Sequence, residues 1–297
     1  MEPQKRSAEE AESLLVGVRS ILFDIEGTTT PISFVKDTLF PYVKNHIESF
    51  LNKNFENADV QKAVAALRDQ AAKEKDEKVE GVVEIPSADA SKEDVVTAVV
   101  SNVRWQMQDD RKTTELKNLQ GLIWKDAYKT KEIKGELFDD VAPVLKLLSD
   151  EGFHNYVYSS GSIESQKLLF ANSNQGNLLH VFSGYFDTTT GSKKESASYK
   201  KIASEIKTEP NCILFLTDSP EEGEAADAAG LRVALVIRPG NAELSTGHLQ
   251  KFACIERFDE LYGDDDDEED DIKRFAGDNG EQDDEDDDDD EEDGDDA

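Results

Sequence analysis

Apolar residues along this chain follow two periods, and the period changes twice. The run SILFDI (20–25) is short and continuous, and Glu26-Gly27 closes it with a turn signal, so it predicts a buried strand. Beyond it Phe34, Leu39, Tyr42, Val43, Ile47 and Phe50 fall near spacings of three and four, as do Val60, Val64, Leu67 and Ala71. A polar, Lys/Glu-rich segment with Pro86 interrupts the pattern. It resumes through Val95, Val99, Val103 and Met107, then Leu116, Leu119, Ile123 and Trp124. The spacing predicts several helices between Thr30 and about Ile133.

From residue 134 short apolar runs alternate with helical stretches. Helices are predicted at 141–152, 163–171, 194–206 and 220–230. Strands are predicted at 153–162, 181–187, 212–219 and 232–240. Such alternation indicates an α/β fold, a doubly wound and mostly parallel sheet covered on both faces. The sheet unit then comprises residues 18–30 and 134–262, and residues 31–133 form a helical insertion.

Charge changes the picture at one end. The formal net charge is −33, and the segment from Gly263 to Ala297 holds 23 acids against Lys273 and Arg274, so it carries −21 of that total. It has too little apolar surface to offset ordering entropy and reads as a disordered acidic tail. The remainder is an ordinary, mildly acidic globular protein. So negative a chain argues against nonspecific nucleic-acid binding. No stretch reaches the length of a membrane span, and MEPQKRSAEEAESLL at the start lacks an apolar signal core. Cys212 and Cys254 are too few for a disulfide framework, and Cys212, opening an apolar run, reads as a small core residue. The expectation is a monomeric intracellular protein, in the cytoplasm with the nucleus as a second compartment.

Chemistry concentrates where strands end. Ligands of open parallel sheets bind at the strands' carboxyl ends, and three predicted strands stop on polar groups: Asp24 with Glu26, Ser159 with Ser160, and Thr217 with Asp218. Residues two apart on extended chain face the same way. Asp24 and Glu26 therefore suit a division of labour between a nucleophile and an acid/base group, although D-x-E-G-T alone reads as readily as a turn. Ser159 and Ser160 with the following glycine make an anion site, while Ser160 or Ser162 serves as a helix cap. Lys193, in a Gly/Ser loop, could bind phosphate as a point charge, and its neighbour Lys194 is locally indistinguishable. Asp218 near Asp24 gives an oxygen-lined site suited to Mg²⁺. Glu221 and Glu222 read as first-turn acids that favour a helix dipole.

Acid pair, Ser/Thr, Lys and acid, in that order and each at a strand end, resemble the four motifs of the haloacid dehalogenase superfamily. Within it, the enolase-phosphatase family of methionine salvage is similar at DIEGTTTPISFVKDTLFPY (24–42), WQMQDDRKTTELKNLQGLIW (105–124), YSSGSIESQKLLF (158–170), GSKKESASYKKIA (191–203), ILFLTD (213–218) and RPGNAEL (238–244). The resemblance spans roughly residues 18–262 and leaves out the tail. It implies a haloacid dehalogenase-like fold in which the insertion is a cap over the site. It implies Asp24 as the nucleophile and Glu26 as acid/base, with one Mg²⁺ per subunit on Asp24, the Glu26 backbone carbonyl and Asp218. Ser159, Ser160 and Lys193 fall where that family binds substrate, a phosphorylated small molecule. Ser192 and Lys194 depart from the expected flanks of the lysine. The rivals are another small-molecule phosphatase on the same fold and, from a different class, an acidic-tail binding protein for basic partners.

Overall fold

A computed structural model describes residues 13–263; the anticipated disordered tail from residue 264 onward lies outside the described residues. The sheet holds β1 (Ser20–Phe23), β2 (His154–Tyr158), β3 (Gly184–Phe186), β4 (Ile213–Thr217), β5 (Arg232–Val236) and β6 (Ala253–Ile255). All pair in parallel in the order β3-β2-β1-β4-β5-β6. The first strand is thus central, flanked by β2 with Phe23 opposite Val157 and by β4 with Phe23 opposite Leu216.

Both faces of the sheet are covered, which explains why its strands read as unbroken apolar runs. Ile21, Phe23, Val157, Leu214 and Leu216 pack on one side with α5 (Val141–Asp150) and α6 (Ile163–Ala171). Leu22, Tyr158, Ile213 and Phe215 pack on the other with α7 (Ser196–Glu205) and α8 (Pro220–Asp227). Alternate residues of a strand therefore serve opposite cores.

Between β1 and α5 run α1 (Phe40–Asn54), α2 (Ala58–Asp76), α3 (Lys92–Gln108) and α4 (Thr114–Lys129). Their periodic residues, among them Val43, Ile47, Leu51, Val64, Leu67, Val99, Val103, Leu116 and Leu119, bury one another in a separate apolar cluster. Asn57, Ser91 and Thr113 cap the starts of α2, α3 and α4 by accepting backbone N–H bonds. Residues Phe34–Leu39, inside the predicted helical stretch, form a π-helical turn before α1.

The sheet differs from expectation at its margins. The helix α9 (Thr246–Lys251) and strand β6 were not anticipated. Each is too short for a period to register, and β6 completes an edge through pairing with β5 alone. Predicted strands also overran: 181–187 shrinks to Gly184–Phe186 behind a 3₁₀ turn, and 232–240 ends at Val236. Cys212 is only partly buried, because Pro210–Cys212 form a 3₁₀ turn and the core run begins at Ile213.

Candidate active site

The ends of β1, β2 and β4 lie side by side, and the register sets Asp24 level with Tyr158 and Thr217. Asp24 N–H donates to the Leu216 carbonyl at 2.9 Å, so the backbone of the acid still belongs to the sheet. Its carboxylate is buried and well supplied with donors. Oδ1 accepts from the Ile25 N–H at 2.7 Å and sits 2.6 Å from Lys193 Nζ, and Oδ2 lies 3.1 Å from Thr217 Oγ1.

Lys193 is the centre of the cluster. Its ammonium lies 2.6 Å from Asp24 and 2.6 Å from Glu222 Oε2. Burial works against its charge, but Asp24 and Glu222 together hold its pKa above the usual lysine value. Three bonds from the core fix the loop: Tyr199 O–H to the Lys193 carbonyl at 2.6 Å, Ser198 O–H to the Ser192 carbonyl at 2.7 Å, and Tyr158 O–H to the Gly191 carbonyl at 3.0 Å. They turn Lys193 inward, its side chain 9% exposed, and leave Lys194 66% exposed and paired with Glu221. The two neighbouring lysines, alike in sequence, are thus separated by geometry.

Glu222 corrects the sequence reading. It sits in the first turn of α8 as expected, but its side chain points into the site instead of serving only the helix dipole. Thr217 Oγ1 is 3.0 Å from Glu222 Oε2 as well as 3.1 Å from Asp24. One hydroxyl carries one proton, so it cannot donate to both carboxylates. Burial and the nearby Asp24 push the Glu222 carboxyl up, against the pull of Lys193. The signal that could have found it is its place four residues after Asp218, one helical turn on.

The loop after β1 brings in the rest. Gly27 has φ +74°, and a Cβ there would come within 2.4 Å of Asp218 Oδ2. Only glycine lets Asp218 approach this backbone. Burial, and then Asp24, push the Asp218 carboxyl up to about 7. Glu26 is exposed at the mouth, its carboxyl raised by partial burial and by Asp24. Asn241 donates from Nδ2 to the Gly27 carbonyl at 2.9 Å and to the Val236 carbonyl at 3.2 Å, tying the loop to the end of β5. Behind it the buried Arg238 donates to the Thr28 carbonyl and forks onto Asp140 at 2.7 and 2.9 Å.

Ser159 is buried and accepts the Gly161 N–H at 3.3 Å, while Ser160 is exposed. Ser162 caps α6 by accepting the Ser165 N–H at 3.2 Å. Both Ser159 and Ser160 therefore remain beside Asp24's strand end and do no capping.

The donor set suits a hard divalent cation. Asp24 and Glu222 each lie 2.6 Å from the Lys193 ammonium, and burial followed by Asp24 raises the carboxyls of both Asp218 and Glu26. Among the described residues no three His, Cys, Asp or Glu side chains converge as a metal-holding group; two carboxylates with a backbone carbonyl are a different set.

Comparison with known proteins gives this arrangement its relatives. A family model for haloacid dehalogenase-like hydrolases matches residues 18–230. Enolase-phosphatase E1 of Anopheles gambiae is 48% identical over 247 residues, covering 83% of each chain. The protein of the same name from Xenopus tropicalis is 49% identical over 247 residues, 82% of this chain and 95% of that one. Among solved structures, the UTR4 protein of Saccharomyces cerevisiae is similar with a TM-score of 0.63 at 30% identity, over 81% of this chain and 98% of that chain.

Proposed function

Since the chain belongs to the enolase-phosphatase family of haloacid dehalogenase-like hydrolases, we propose that its strand-end cluster converts 2,3-diketo-5-methylthiopentyl-1-phosphate to 1,2-dihydroxy-3-keto-5-methylthiopentene and phosphate, a step of methionine salvage. The observation that carries the reading is the buried Lys193 ammonium held 2.6 Å from Asp24 at the end of the central strand. A carboxylate so placed is aimed at the strand end as a nucleophile, and the ammonium beside it is positioned for a phosphoryl oxygen.

Asp24 attacks phosphorus, forming an aspartyl-phosphate and releasing the enol oxygen. Glu26, at the mouth and with a raised pKa, gives that leaving oxygen its proton. It then takes a proton from the water that attacks the aspartyl-phosphate, returning Asp24 to its carboxylate. Lys193 and the Ser159–Ser160 loop bind the phosphoryl oxygens, and Glu222 with Thr217 keeps Lys193 and Asp24 in register. Asp24, the Glu26 backbone carbonyl and Asp218 would hold one Mg²⁺ per subunit, which when bound offsets charge on the transferring phosphoryl group. The helices at 31–133 form a cap that excludes water.

Incubation with the diketo phosphate and Mg²⁺, following enol absorbance and phosphate together, tests the reading. Both signals are expected, with the enol first. Phosphate without any enol would leave a phosphatase and remove the enolase half.

A further inference from the structure

One cation at this site belongs to the helical insertion. Lys117, in α4, donates from Nζ to the Ser160 carbonyl at 3.1 Å and so joins the helices to the loop after β2. It is half-buried, and among the described residues no carboxylate lies within ion-pair distance of it. An ammonium has three donors, and Ser160 uses one. Lys112 and Asp110, in the loop before α4, both act electrostatically on the Glu26 carboxyl. Burial, and then Lys112, lower the Lys117 pKa, while Asp187 opposes them only electrostatically. A desolvated cation of this kind is short of an anionic partner.

We infer that Lys117 is a substrate-binding residue that donates a hydrogen bond to the carbonyl oxygen next to the phosphate-bearing carbon and stabilises the enolate formed there. The inference rests on the enolase-phosphatase reading above. In enolisation a base removes a proton from C1, the C–H pair becomes the C1=C2 bond, and the carbonyl π pair moves onto the C2 oxygen. That oxyanion then takes a proton to give the enol. In the reading above, Asp24, Lys193 and the Ser159–Ser160 loop serve the phosphoryl end of the substrate from the sheet, which leaves the two unused donors of the insertion's lysine for the carbon end. A preorganised donor in a water-poor site acts most strongly where charge develops.

The test uses the full chain with Lys117→Met and Lys117→Arg, each checked for an unchanged melting curve. Enol formation is followed with the diketo phosphate, and binding of inorganic phosphate by calorimetry in Mg²⁺. Loss of one oxyanion donor is expected to slow enol formation by about 10²- to 10³-fold in Lys117→Met. Phosphate affinity stays within twofold, and Lys117→Arg recovers part of the rate. Enol formation within threefold of wild type would overturn the assignment. So would a matching loss of phosphate affinity, which would make Lys117 a phosphate ligand or a strut for the insertion. Wild-type protein that forms no enol would overturn the enolase reading, and this inference with it.

Discussion

Arg238→Ala tests whether the loop that carries the acid pair is anchored from behind. The guanidinium forks onto Asp140 at 2.9 and 2.7 Å and donates to the Glu256 carbonyl at 2.8 Å and the Thr28 carbonyl at 3.3 Å. It stacks 4.4 Å from the Phe138 ring centroid. The two side chains are 3% and 0% exposed, so truncation strands a buried carboxylate whose remaining donor is the Phe258 N–H. Removing one partner of a buried pair costs about 3–5 kcal/mol, a large part of the 5–15 kcal/mol roughly typical of a domain. At roughly 2–4 °C per kcal/mol for a protein of this size, the melting temperature should drop by about 10 °C. Equilibrium urea unfolding of wild type, Arg238→Ala, Asp140→Leu and the double variant measures this. The double variant is expected to be no worse than Arg238→Ala alone, since the stranded charge is gone. A single-variant loss under about 1 kcal/mol, or simple additivity, would refute the anchoring argument.

The remaining expectations concern the site. Asp24→Asn should fold normally and release no phosphate, since an amide cannot form the phosphoenzyme; a folded variant with wild-type release would falsify the nucleophile assignment. Glu26→Gln should lose about 10²- to 10⁴-fold in turnover while keeping Mg²⁺ affinity, because the backbone carbonyl remains; calorimetry showing the reverse pattern sinks the division of roles. Gly27→Ala places a Cβ 2.4 Å from Asp218 Oδ2 at φ +74°, so Mg²⁺ affinity and activity should fall together, and a variant with both intact would mean Asp218 is not held there for a metal. Lys193→Met should abolish phosphate release and Lys194→Met should leave it within twofold; steady-state rates of the two variants reverse the assignment if they come out the other way round.

Much of the fold was legible because its elements differ in period. Phe23 and Leu216 sit in runs buried on both faces, and the helices at 31–133 repeat apolar residues at the spacing of one buried stripe. What escaped was short or set by distant partners. Residues Ala253–Ile255 become a strand only because β5 offers an unpaired edge, and three residues carry no period of their own. Cys212 looked like core because apolar residues follow it, but the turn at Pro210 starts the strand one residue later.

The site divides along the same line. Asp24 and Asp218 were visible because a carboxylate ending an apolar strand needs a reason, since its desolvation must be offset. Glu222 was not, because an acid in a helix's first turn already has one. The structure shows that the two roles are compatible: a first-turn position on α8 puts the carboxylate beside the end of β4, where Thr217 and Lys193 meet it at 3.0 and 2.6 Å. The same limit applies to Lys193 and Lys194. Their order in the chain says nothing of direction, which is set by Tyr199, Ser198 and Tyr158 bonding three successive carbonyls of the loop. Two of those three come from α7 and one from β2, so the inward turn of one lysine depends on contacts that exist only once the sheet has formed. The chemistry of the site therefore cannot precede the fold: an ammonium between two carboxylates becomes stable where the core fixes the loop's direction, and the strand end supplies the acid it faces.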